Sequence, residues 1–85
     1  MSEMRAKLRI RSIKNYPETG DATQQTLTFA AVGPKGPYPA DGSDENNTFA
    51  RFTPSADLTM CITNPALIGK FEEGQEYYVD FSKAA

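Results

Sequence analysis

Four cations occupy alternate positions near the start of the chain: Arg5, Lys7, Arg9 and Arg11. On an extended backbone such side chains share a face and lie about 6.6 Å apart, close to the phosphate spacing of a nucleic-acid strand. The chemistry open to the row is anion recognition, either of phosphates or of carboxylates on an acidic protein, another copy of this chain included. Single-strand binders add exposed aromatics on which bases stack, and Tyr38 and Tyr78 are the candidates here. Against nucleic acid stands the overall charge of −2, the reverse of the usual basic footprint. That total hides an asymmetry. Residues 1–14 hold five cations and one acid, a balance of +4, and the remainder holds four cations and ten acids, a balance of −6. A protein contact is therefore preferred to nucleic acid, beside the plainer reading of a strand kept from aggregating by its charge.

The segment Asp41-Gly42-Ser43-Asp44-Glu45-Asn46-Asn47 offers oxygen ligands at close spacing. It lacks the twelve-residue spacing and closing glutamate of an EF-hand, so no metal site is assigned. As a surface, Asp41, Asp44 and Glu45 suit a protein partner, or imitate nucleic-acid charge toward a host enzyme. The adjacent pairs Asp44-Glu45 and Glu72-Glu73 diverge on a strand or turn and make poor acid–base dyads. Histidine is absent, which removes the commonest general base, and the single cysteine, Cys61, has no histidine to activate it. One thiol and no imidazole also exclude a zinc site of the usual type within one chain. No catalytic residue, metal or cofactor is expected. The N-terminal cations are followed by no apolar signal segment, and no apolar run is long enough to span a bilayer.

These groups are positioned by short strands. Residues 4–10 alternate Met4, Ala6, Leu8 and Ile10 against the cations, and Ile13 falls out of phase, which places a bulge or bend near Arg11-Ser12. Residues 25–32 turn Leu27, Phe29 and Ala31 inward. Residues 48–53 read as a third strand, joined by Pro54-Ser55-Ala56 to a fourth at 57–63, where Leu58, Met60 and Ile62 alternate with Asp57, Thr59 and Cys61. Asn64-Pro65 opens one helical turn that Gly69 closes, with Leu67, Ile68 and Phe71 plugging an open end of the sheet. A last strand at 76–82 points Tyr77, Val79 and Phe81 inward. The expectation is an all-β single domain, a small five-stranded antiparallel barrel or sandwich with one helical turn between strands four and five. An oligonucleotide-binding barrel is disfavoured, because a three-residue turn leaves no room for its helix between strands three and four. Between the second and third strands, residues 33–47 carry three prolines and three glycines with no apolar period, the mark of a functional loop. Tyr38 is held there between two prolines.

Three segments taken together, YPADGSDENNTFARFTPSA from Tyr38, NPALIGKF from Asn64 and GQEYYVDF from Gly74, with an opening of MRAKLRI, carry a resemblance. The chain resembles small uncharacterised proteins of tailed bacteriophages of Gram-negative bacteria. The resemblance covers most of the chain and implies a phage setting, in the virion or the host cytoplasm, without assigning a role to any residue. In that setting the expected function is non-enzymatic protein binding, as a capsid decoration or structural accessory. Arg5, Lys7, Arg9 and Arg11 would meet an acidic surface, the 33–47 loop would anchor, and Tyr38, Phe49 and Tyr78 would be the aromatic contacts. Two alternatives stand beside it: a single-stranded nucleic-acid binder, and an inhibitor of a host defence protein.

Overall fold

The computed structural model describes residues 3–33 and 36–84. Alternation of apolar and polar residues makes four antiparallel strands: β1 (Met4–Tyr16), β2 (Gln24–Ala31), β3 (Asp57–Ile62) and β4 (Glu76–Phe81). They lie side by side in one open sheet of order β3-β2-β1-β4. β1 is central and pairs on one side with β2 and on the other with β4. Of the bulge and the bend left open by the sequence, the structure has the bulge: the β1–β2 register slips between Ile10 and Ser12, so that Arg11 is the extra residue. The slip brings Ile13 opposite Leu27 and back to the apolar face, which is what a single inserted residue does to a period of two.

All the expected inward residues of the four strands share one face. Ala6, Leu8, Ile10, Leu27, Phe29 and Ile62 are buried, and Leu58, Tyr77 and Val79 are half-buried against them. Two loops supply what cover there is. From residues 63–75 come Ile68 and Phe71, and from residues 32–56 come Phe49 and Ala56. Phe29, Tyr77 and Phe71 meet edge to face, with ring centroids 6.4 and 5.8 Å apart. Gln25, buried on the same face, receives the Gly69 N–H at 3.0 Å and donates to Asn15 at 2.8 Å, tying the second loop to the sheet.

Several expectations are corrected. The chain has four strands among the described residues, not five, and the sheet is open, neither barrel nor sandwich. The expected third strand at 48–53 is a series of turns. β2 pairs with β1 only from Leu8 onward, and the start of this segment bonds to Arg5 and Lys7, beyond the point where β2 departs. Thr48 uses Arg5, donating its N–H to the Arg5 carbonyl at 2.9 Å and accepting the Arg5 N–H on Oγ1 at 2.8 Å. Asn47 uses Lys7. The chain then turns away, with Phe52 at φ 58°. The 64–69 segment forms turns rather than a helix: the Asn64 side chain caps Ala66 N–H and Gly69 takes φ 83°. Ile68 and Phe71 do pack on the core, whereas Leu67 is exposed.

Asn47 is the pin of the long loop. It is 1% exposed; its Oδ1 accepts the Lys7 N–H at 2.9 Å, and its Nδ2 donates to the Val32 carbonyl at 2.7 Å and to Asp44 at 3.0 Å. Removing a buried group that satisfies two backbone partners leaves those partners dry and unpaired. Asn47→Ala is therefore expected to lower unfolding free energy by about 2–3 kcal/mol, read as a lower urea midpoint. A variant with the parent's midpoint would show that the loop is not held this way.

Candidate functional site

The structure sorts the expected site residues into three places. The first is the outer, polar face of the sheet. There the cationic row of β1 lies opposite β4, which presents Glu76, Tyr78 and Asp80 in register with Arg9, Lys7 and Arg5. Opposite charges facing each other across an antiparallel pair attract, and they close into a ladder. Arg5 donates from Nε to Asp80 at 2.7 Å and Arg9 donates from Nε and Nη2 to one oxygen of Glu76 at 2.9 and 2.5 Å. Lys7 reaches Glu76 at 3.5 Å, and Arg11, at the bulge, reaches Asp57 at 4.0 Å. The Arg5 guanidinium also lies 4.8 Å above the Tyr78 ring, within cation–π range. The row expected to meet a foreign anion is thus neutralised by the chain's own carboxylates. Nothing local in the sequence marks Glu76 and Asp80 as those partners, since they lie 67 and 75 positions from Arg9 and Arg5.

The hydrogen bond from Arg9 holds the Glu76 carboxyl below its ordinary value, against partial desolvation, with the charges of Arg9 and Lys7 adding to the effect. The hydrogen bond that Arg5 donates to Asp80 likewise raises the Arg5 guanidinium. These groups are open to solvent, so salt screens the ladder.

The second place is the 36–53 loop. It folds on itself instead of reaching out as an arm. Asp41 accepts the Ser43 N–H at 3.0 Å, a bond that lowers its carboxyl; Arg51 Nε donates to the Asp41 carbonyl at 2.9 Å. Asp44, besides holding Asn47, accepts the Asn46 N–H at 2.9 Å. Asp41, Asp44, Glu45 and Arg51 rim an open hollow with Ser43 and Thr48. No group of three or more acidic or cysteine side chains among the described residues is arranged to hold a metal ion. Tyr38 does not stand free: its ring meets Phe52 edge to face at 5.9 Å. Phe52 is 50% exposed although its backbone is in the left-handed region, a conformation that strains a bulky side chain and is found where the surroundings impose it. Gly42 imposes it. Its carbonyl accepts the Phe52 N–H at 2.7 Å, and a Cβ on Gly42 would lie 2.6 Å from the Phe52 ring. Nothing local in the sequence marks Phe52; its role arises from that crossing of chains.

The third place is a hollow of about 410 Å³ on the apolar face. Ala6 and Leu8 form its floor, Phe49 and Ala56 one wall, and Met4, Met60 and Phe81 its exposed rim. Phe49, expected as a partner contact, is thus packed against the sheet and half-buried. Cys61 is exposed on the opposite, polar face. Among the described residues no helix is long and apolar enough to cross a membrane.

The ladder makes a pH prediction. A carboxylate lowered on folding stabilises the protein above its ordinary value of 4.5 and ceases to do so as pH falls through the folded value. The urea midpoint is expected to fall on acidification from about pH 5 to pH 3, and to fall less in Glu76→Gln. Parallel curves for the two proteins would remove Glu76 from the account.

Comparison with protein-family models, with curated proteins and with solved structures gives no match to this chain.

Proposed function

We propose that the chain is a non-enzymatic bacteriophage protein that works by binding another protein, and that its partner is the phage capsid, which it decorates. The observation that carries this reading is the 36–53 loop, folded back on itself and bonded to the sheet. Ordering each backbone residue opposes folding by about 1–2 kcal/mol, and a far shorter connection would join β2 to β3. The loop nevertheless places few side chains on the core. Its buried pin, its internal hydrogen bonds and the strained Phe52 all maintain a surface, which is what a binding loop on a rigid scaffold requires. The contact surface is Tyr38 and Phe52 with the acidic rim of Asp41, Asp44 and Glu45. The phage setting rests on the resemblance described above.

A second reading, binding of single-stranded nucleic acid, is favoured by one observation. Tyr16 and Tyr78, both exposed, flank the cations of β1 on one face. Its cost is that a phosphate must displace Glu76 and Asp80 from the arginines.

Mass spectrometry of purified virions tests the first reading. Many copies per particle are expected; absence from particles would overturn decoration in favour of a target in the host cell. Tyr38→Ala and Phe52→Ala are each expected to weaken binding to particles lacking the protein by roughly tenfold or more, as truncated aromatic anchors do. An oligonucleotide titrated at low and high salt tests the second reading, which needs an affinity that falls steeply with salt.

A further inference from the structure

The apolar face is larger than the chain can cover. A compact monomer of 9.3 kDa has an accessible surface of about 5,000 Å², whereas this one has 6246 Å², an excess of about 1,200 Å². The radius of gyration is 15.2 Å against roughly 12 Å for a compact domain of 85 residues. The backbone extends 50 × 34 Å but only 15 Å in the third direction, room for a sheet and a thin cover. Where the cover stops, the rim residues Met4, Met60 and Phe81 stand 36, 45 and 47% exposed around the hollow. Among the described residues, Asp57 is the one charged side chain at its edge.

We infer that this hollow is an interface on which a second copy of the chain docks face to face, so that two open sheets become the two layers of a sandwich. Three observations select a second copy over other occupants. The surplus, counted over the whole molecule, is comparable with the roughly 800 Å² per partner that a standard interface buries. The patch combines methionine and phenylalanine with almost no charge, the composition of the core of a protein–protein interface. It is also self-complementary by type, with side chains projecting at the rim and a hollow between them, as an interface related by a two-fold axis needs. The polar face is the poorer candidate, since its charges are already paired within the chain and docking there would take those ion pairs out of water. This inference is independent of the proposed partner, which meets the loop.

Light scattering on the purified full chain after gel filtration, at about 10–100 μM, a range that spans dimers of micromolar affinity, is expected to give twice the chain mass. Met60→Asp and Phe81→Asp, at half-exposed rim positions, are expected to raise the dissociation constant by roughly 30-fold or more, while Thr59→Asp on the opposite face leaves it unchanged. As a readout that does not depend on variants, peroxide oxidation of Met60 in the parent is expected to slow as protein concentration rises, and the urea midpoint to increase with it. A monomer throughout this range would overturn the inference, as would a dimer indifferent to Met60→Asp or a Met60 oxidised equally fast at every concentration. A chain that binds capsids as a monomer would overturn it while leaving the proposed function standing.

Discussion

The rest of the structure follows from one constraint: a single sheet has two faces, and this chain has the side chains to dress only one of them for water. The alternation in all four strands gathers Ala6, Leu8, Ile10, Leu27, Phe29 and Ile62 on one side. Among the described residues no helix and no second sheet closes over them. Removing that surface from water is the dominant favourable term in folding, so the two long connections are recruited as cover. Ile68 and Phe71 close one end, and Phe49 with Ala56 the other. The interval between them is the hollow, and the flat shape is its geometric expression.

A loop used as cover must be held down without a regular ladder, and buried amide chemistry does this. Asn47 takes the place of a strand residue beside Lys7 and Val32, while Gln25 does the corresponding work for the turn at Gly69. Each satisfies backbone groups that no ladder reaches, and no buried side-chain polar atom among the described residues lacks a partner. The same anchoring fixes the acidic rim and the Tyr38–Phe52 pair. The device that protects the core is therefore also the device that presents a surface.

On the polar face the arrangement is electrostatic. β1 and β4 are the cationic and acidic strands of a chain that divides its charge between its two ends, and their pairing turns the asymmetry into cross-strand contacts. Exposed pairs of this kind contribute little individually. Their register, however, penalises a slip of β4 along β1, because a one-residue shift would set the cations against Tyr77 and Val79.

Much of this was legible in the residues themselves. A period of two identifies its strand without reference to any partner, so the existence of the four strands and their inward faces follow from local pattern, whereas β1 runs past the expected end at Ile10 to Tyr16 because β2 pairs with it there. Residues 48–53 did not, because Phe49 and Phe52 are spaced by three and the segment's fate depends on whether β1 has a free edge. The cationic row was visible, but its neutralisation was not, since Glu76 and Asp80 reach it only through the pairing of the chain's two ends. Phe52 and Asn47 owe their roles to contacts with distant backbone, and a sequence carries no local sign of these. What the sequence alone determined is the class of structure and which side of each strand avoids water, because both depend on near neighbours. How many strands join, whether the sheet closes and what stays uncovered were decided by the tertiary structure, because those depend on which edges and faces the rest of the chain has already occupied.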